Sequence, residues 1–132
     1  MEKNLSKHRV LGDERGQLIA IESGIGIPFD IKRIFYIYGT KPNVPRGQHA
    51  HHKTQQYLIA VSGSCEVTLD DGKEKVTHLL DQPHIGLFQD AMVWGTMKNF
   101  SHDCVLLVLA NEHYDDADYI RSYEDFERKI KS

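Results

Sequence analysis

Cys65-Glu66-Val67-Thr68-Leu69-Asp70-Asp71-Gly72, continuing through Lys75 to Leu80, is the stretch from which the fold is read. Its apolar side chains recur at every second position, so Cys65, Val67 and Leu69 fall on one face of a half-buried strand. Asp70-Asp71-Gly72 then supplies the residues that tolerate the positive φ of a tight turn. Residues 75–80 return as the partner strand. A hairpin of this kind needs further strands to cover its apolar face.

Outward from it, the same pattern repeats. Residues 56–61 precede the hairpin across the turn Ser62-Gly63-Ser64, and residues 85–88, 93–97 and 104–110 follow it. Upstream, residues 18–21 form a first apolar run after Gly12 and Gly16. Residues 31–38 form a second, bounded by Pro28 and Gly39. A polar loop over residues 40–52 carries Pro42, Pro45 and Gly47. Short strands at regular spacing predict an all-β sandwich or barrel and no βαβ units. Only the tail reads as helix. Ser122 is its cap, Asp125 stands at the reciprocal capping position, and Phe126 and Ile130 share one face.

With 132 residues, 40% of them hydrophobic, the chain suits one domain, residues 1–132. Nineteen acidic residues against sixteen basic ones, and no long basic run, argue against a general nucleic-acid binder. No apolar run approaches the roughly 20 residues of a membrane span. Residues 1–11 are polar and mixed in charge, unlike a secretion signal. Cys65 and Cys104 lie in strand-like runs without paired spacing, which predicts buried, reduced thiols and a cytoplasmic protein.

The chemistry concentrates in Arg46-Gly47-Gln48-His49-Ala50-His51-His52, followed by Gln56. On an extended segment His49 and His51 point to the same side and address one target, while His52 points away. Paired imidazoles serve metal ligation or proton transfer. A metal site of this pattern needs a carboxylate a few residues on, where the chain has Gln55-Gln56. It also needs a further histidine in the segment 83–97, which instead has Trp94-Gly95. His84 comes too early, although His102 can fold inward. An amide neither neutralises a metal ion nor ligates it well, so no metal and no cofactor are expected. Proton transfer beside a carbonyl needs groups titrating near neutrality and donors for the developing oxyanion. Tyr36, Tyr38 and Gln56 are the candidates for the donors.

Plainer roles compete for these residues. His8, His78, His84 and His113 read as surface or packing residues, and Arg33 and Arg46 as surface charges. Tyr36 and Tyr38 share a strand face and serve equally as barrel lining. Trp94 reads as packing. The run Tyr114-Asp115-Asp116-Ala117-Asp118-Tyr119 reads as a solvated turn before the helix.

Ile31-Lys32-Arg33-Ile34-Phe35-Tyr36, Pro45-Arg46-Gly47-Gln48-His49-Ala50-His51, Val105-Leu106-Leu107-Val108-Leu109-Ala110 and the ending Tyr114 to Arg121 together resemble the TDP-4-oxo-6-deoxyglucose 3,4-ketoisomerases. The likeness runs from about Gly12 to Phe126. It implies a cupin-type jelly-roll barrel with a short C-terminal helix, and a homodimer with exchanged N-terminal strands. Each barrel would hold a TDP-linked 4-keto-6-deoxy sugar, with no nucleic acid or membrane partner. The resemblance implies His49 and His51 as the proton-transfer pair, and Arg33 and Arg46 near the pyrophosphate. Tyr36, Tyr38 and Gln56 would line or orient. The product implied is a 3-keto sugar that would feed 3-amino sugar synthesis. Arg15-Gly16 resembles the branch with a galacto-configured product, glycine leaving the pocket wall open. Gly95 stands where relatives can carry a histidine. The related 3,5-epimerases pair their histidine with an aspartate, and no such partner is evident here. A metal-dependent dioxygenase and a non-catalytic sugar-binding cupin are the other classes.

Overall fold

A computed structural model describes residues 4–132; the first three residues of the expected domain lie outside the described part. Among the described residues twelve strands run in chain order: β1 (Leu5–Lys7), β2 (Leu11–Asp13), β3 (Gly16–Leu18), β4 (Arg33–Ile37), β5 (Arg46–His51), β6 (Gln56–Ser62), β7 (Cys65–Asp70), β8 (Lys75–Leu80), β9 (Ile85–Gln89), β10 (Trp94–Lys98), β11 (Val105–Ala110) and β12 (Tyr119–Ile120). One helix, α1 (Tyr123–Lys131), closes the chain. Strands β1-β9-β6-β11-β4 make one five-stranded sheet and β12-β5-β10-β7-β8 the other, while β2 and β3 pair only with each other. This is the expected jelly roll with its C-terminal helix.

The hairpin that decides the fold forms as read. Strands β7 and β8 pair from Cys65↔Leu80 to Asp70↔Lys75. Gly72 takes φ +92°, Asp70 accepts its N–H, and Asp71 accepts those of Lys73 and Glu74. Cys65, Val67 and Leu69 face Leu58, Ala60, Leu87, Leu106 and Val108 of the first sheet, and this is the main core. Cys65 and Cys104 are buried free thiols, the former pushed up to about 12 by burial.

Two further clusters cover the outer faces. Ile27 and Phe29, from the segment before β4, pack with Tyr57, Ile59 and Leu109 outside the first sheet. Phe126 of α1 packs on Ala50 and Ile120 outside the second, with Trp94 and Ile130 beside them. Ser122 caps α1 by accepting the Asp125 N–H at 3.3 Å. The Asp125 carboxylate pairs with Arg128 one turn on instead of reaching back to close a capping box.

Three readings of the sequence change. The loop expected over residues 40–52 contains β5, whose pairing with β10 is long-range and leaves no local signature. Residues 19–21 continue beyond β3 without strand pairing, and Ile21 packs on the outer cluster. The acidic run before α1 is a single 3-10 turn, Asp116–Asp118, followed by β12, which joins the edge of the second sheet beside β5.

Candidate active site

Register across the first sheet decides what enters the barrel. Ala110 of β11 lies opposite Arg33 on β4 and opposite Gln56 on β6, and Gln56 lies opposite Gln89 on β9. Directly opposed residues share a face, so Arg33, Gln56 and Gln89 form one polar row at an end of the interior. The next inward row is Phe35, Val108, Leu58 and Leu87, which is apolar. The barrel interior is therefore apolar core at one end and lined by polar side chains at the other.

The same register corrects the placement of two tyrosines. Tyr36 lies opposite Leu107 with Ile34 beside Leu109, on the outer face; Tyr36 and Tyr38 are 63% and 71% exposed. Within the chain they do not line the barrel. Both faces of β4 carry aromatic or aliphatic residues, so alternation alone did not say which face is inside. Tyr38 instead borders a cavity of about 290 Å³ with Thr40, Lys41, Val44 and Arg46.

From the second sheet come the histidines. Between β5 and β10 the register shifts, so that His49 lies opposite Gly95 but Gly47 lies opposite Thr96. Gly47 and Gln48 both take positive φ, +80° and +58°. This is a β-bulge, and its extra residue reverses the side on which the preceding residue points. Arg46 thereby lies opposite Met97, a core residue, and shares the inner face with His49 and His51. Strict alternation would have sent it outward.

His49 and His51 stand with ring centroids 4.9 Å apart, edge to face. Tyr119 of β12, in register with His51, closes the group at 5.0 Å from His49 and 4.4 Å from His51. The Arg121 guanidinium lies 4.2 Å over the Tyr119 ring and pairs with Asp116. His49 donates its Nδ1–H to the Gly47 carbonyl at 3.1 Å; a carbonyl only accepts, so neutral His49 offers a lone pair at Nε2. Burial lowers His49, and it lowers His51 to about 4, helped by the positive surroundings of His49, Arg33 and Arg121 and opposed by Asp118. Both rings are neutral near pH 7 and able to take up a proton.

Buried polar atoms are almost always partnered. Three in this region are not: His51 Nε2, Arg33 Nε and Gln56 Oε1. They offer two nitrogens and one acceptor to a polar guest. Gln89, 3% exposed, donates to the Val93 carbonyl at 3.1 Å. A Cβ on Gly95 would meet its Nε2 at 2.5 Å, so glycine at 95 makes room for the Gln89 amide. The Arg33 guanidinium lies over Phe35 and Tyr114, at 5.3 and 5.6 Å.

The sequence missed Tyr119 and Asp118. Asp118, 4% exposed, is no solvated charge: it accepts from Lys53 N–H at 2.8 Å, Thr54 N–H at 3.2 Å and the Thr54 hydroxyl. Its charge favours the protonated form of His51, but its carboxylate bonds run to Lys53 and Thr54 and not to the imidazole. The spacing from His51 to residues 118–119 is too long for any local signal. Arg15 sits exposed on the β2–β3 turn, paired with Asp13 at 2.6 Å. Gly16 beside it takes φ +130°, a backbone requirement that accounts for the glycine. His8 bonds the Tyr57 hydroxyl at 2.6 Å, a packing role as expected. Among the described residues, no three His, Cys, Asp or Glu side chains lie close enough to share a metal ion.

The family model described as FdtA, WxcM-like, C-terminal, matches residues 1–131. The chain is 47% identical, over 98% of its length and 94% of the relative's, to the TDP-4-oxo-6-deoxy-α-D-glucose 3,4-oxoisomerase of Aneurinibacillus thermoaerophilus. Among solved structures it is similar to a 3,4-ketoisomerase from Helicobacter canadensis, with 46% identity, a TM-score of 0.95, and coverage of 97% of this chain and 96% of that one. It is also similar to a histidine-to-asparagine mutant of the 3,4-ketoisomerase from Thermoanaerobacterium thermosaccharolyticum in complex with TDP-4-keto-6-deoxyglucose. There the identity is 40%, the TM-score 0.93, and the coverage 99% of this chain and 96% of that one.

Proposed function

The chain belongs to the FdtA family of sugar 3,4-ketoisomerases, which are intramolecular oxidoreductases, and from that premise we propose that it converts TDP-4-keto-6-deoxyglucose to a TDP-3-keto-6-deoxyhexose by histidine acid–base catalysis. The observation that carries this reading is the pair His49 and His51 under Tyr119, with His51 Nε2, Arg33 Nε and Gln56 Oε1 buried and unpartnered around it.

In the reaction, one imidazole removes the proton at C3, and the electron pair flows to the C4 carbonyl oxygen, which takes up a proton. The resulting enediol loses the proton of its C3 hydroxyl, the ketone re-forms at C3, and C4 is protonated. No net oxidation occurs and every proton is returned. Two neutral imidazoles a few ångströms apart suit a route that alternates removal and delivery. Arg33, which the resemblance places near the pyrophosphate, shares the interior row with Gln56, and the two contact the sugar and its developing oxyanion instead. Arg46 and Lys41, at the rim with Tyr38, hold the diphosphate, for which a guanidinium fork is suited. Tyr36 and Tyr38 reach substrate only from the outer face or across a subunit boundary.

The partner proposed is a second copy of the chain, with exchanged N-terminal strands. In support, β2 and β3 join neither large sheet and are exposed throughout. The outer face of the first sheet also leaves Ile34, Tyr36 and Val61 largely uncovered. We assign the residues to a single domain working in the cytoplasm without metal or cofactor, its product passing to an aminotransferase that makes a 3-amino sugar. Among the described residues no helix is long and apolar enough to cross a membrane. The resemblance of Arg15-Gly16 favours galacto configuration at C4.

The test is proton NMR of the protein with TDP-4-keto-6-deoxyglucose in deuterated buffer containing a chelator. The expected result is a 3-keto sugar bearing deuterium at C4, with the coupling of H4 lost and the configuration read from the remaining shifts. Exchange at C3 and C5 with the 4-ketone retained would make the protein an epimerase, and no change would make it a binding module. Light scattering at micromolar concentration is expected to give a dimer mass.

A further inference from the structure

The segment from Tyr114 to Arg121 wraps over the histidine end of the barrel, joined to β5 by the pairing of β12 and, just before it, by the hydrogen bonds of one residue, Asp118. The Asp118 carboxylate receives Lys53 N–H, Thr54 N–H and the Thr54 hydroxyl, and its backbone carbonyl receives His52 N–H at 2.9 Å. All four donors belong to the three residues that follow His51. The next residue, Tyr119, lies opposite His51 and presses its ring against both imidazoles.

Docking of this kind needs an acceptor but not a charge. A buried carboxylate is expensive to keep unless its charge is used or compensated. Burial raises the Asp118 carboxyl, but the Thr54 and Lys53 hydrogen bonds and the neighbouring His51 outweigh that and hold it below the usual carboxylate range, so it is ionised. The groups whose charges act on His51 are Arg33, Arg121, Asp118 and, once it is itself protonated, His49. Three of them oppose a positive charge on the imidazole and one favours it. Of these groups, Asp118 is the one whose charge favours a protonated His51.

We propose that Asp118 is the positioning residue of this site: its carboxylate pins the strap of residues 114–121 onto the end of β5 and supplies the negative charge that offsets protonation of His51. The inference deepens the acid–base reading of His51 and rests on it for its catalytic meaning, but the electrostatic coupling is measurable without substrate.

The experiment compares Asp118→Asn with Thr54→Val in the full chain. Asp118→Asn keeps an acceptor and removes the charge; Thr54→Val removes one hydrogen bond and keeps the charge. The His51 imidazole resonances are followed from pH 7 downward by 15N NMR, and kcat and KM are measured across the same range. In Asp118→Asn the His51 titration is expected to move to lower pH by about one unit, with kcat down by 10-fold or more and KM within threefold. Thr54→Val is expected to lower the melting temperature and leave both the titration and kcat near wild type. An unmoved titration in Asp118→Asn would overturn the proposal and leave Asp118 a structural anchor. So would a kcat loss shared equally by Thr54→Val. If Asp118→Asn does not fold, the reciprocal measurement decides: coupling acts equally on both partners, so the Asp118 carboxyl must titrate at higher pH in His51→Asn than in wild type. An unchanged Asp118 titration there overturns the proposal as well. Because the titrations use no sugar, they stand even if the isomerase reading fails.

Discussion

The ring of Tyr119 stands 4.4 Å from that of His51, edge to face, although 68 positions separate them in the chain. The contact exists because β12 adds to the edge of β5 with Tyr119 directly opposite His51. It makes the C-terminal strap a wall of the histidine site, with His51 buried and His49 partly buried beneath it. The proton-transfer chemistry proposed for the pair depends on that burial.

Removing the wall has a defined consequence. Tyr119→Ala exposes both rings, so each is expected to titrate closer to the ordinary 6.5, visible by NMR, and kcat/KM is expected to fall at least 10-fold. Tyr119→Phe retains the ring contacts and is expected to stay within about threefold of wild type. Aromatic contacts of this kind contribute about 1 kcal/mol each. Equal losses in both variants would assign the effect to the hydroxyl instead.

Acid stability carries the signature of the buried pair. His51 in the folded chain titrates near 4 because burial disfavours its charged form, whereas unfolded it titrates near 6.5. Between these values the unfolded chain binds more protons, so stability rises with pH across that window. It is whole above about pH 6.5 and falls as the pH drops toward 4, by roughly 3 kcal/mol for this one residue. His51→Asn is expected to flatten the dependence of melting temperature on pH between 7 and 4.5. A slope unchanged in that variant would place the titrating group elsewhere.

Gly95 and Gln89 form a size-coupled pair. Gly95→Ala drives a methyl to 2.5 Å from the Gln89 amide, and overpacking of this kind costs about 1–3 kcal/mol. The double variant Gly95→Ala with Gln89→Ala is expected to recover most of the lost melting temperature, so the two changes are non-additive. Additive losses, measured by thermal or urea unfolding, would show that the amide does not occupy that space.

Arg46 reaches the inner face only through the bulge at Gly47 and Gln48. Arg46→Ala is expected to raise KM about 10-fold with kcat within threefold, the mark of binding energy used equally in ground and transition states. Gly47→Ala strains a residue at φ +80° and brings its Cβ to 3.0 Å from the Gly95 carbonyl. It is expected to raise KM similarly while also lowering the melting temperature. A loss confined to kcat in Arg46→Ala would move the arginine from the diphosphate to the reacting centre.

Much of this was legible in the chain itself. Alternation at 65–69, the turn at Asp70-Asp71-Gly72, the Ser122 cap and the pairing of His49 with His51 on one face all depend on backbone geometry repeating every two or three and a half residues. Such periods are written locally, and a linear reading recovers them. The sides of β4, the reversal of Arg46, the burial of Asp118 and the meeting of Tyr119 with His51 are of another kind. Each is set by which distant strands pair and in what register, and a shift of one residue exchanges inside for outside. The tertiary structure alone decides them, because hydrogen bonds between strands far apart in sequence carry no periodic trace in either strand.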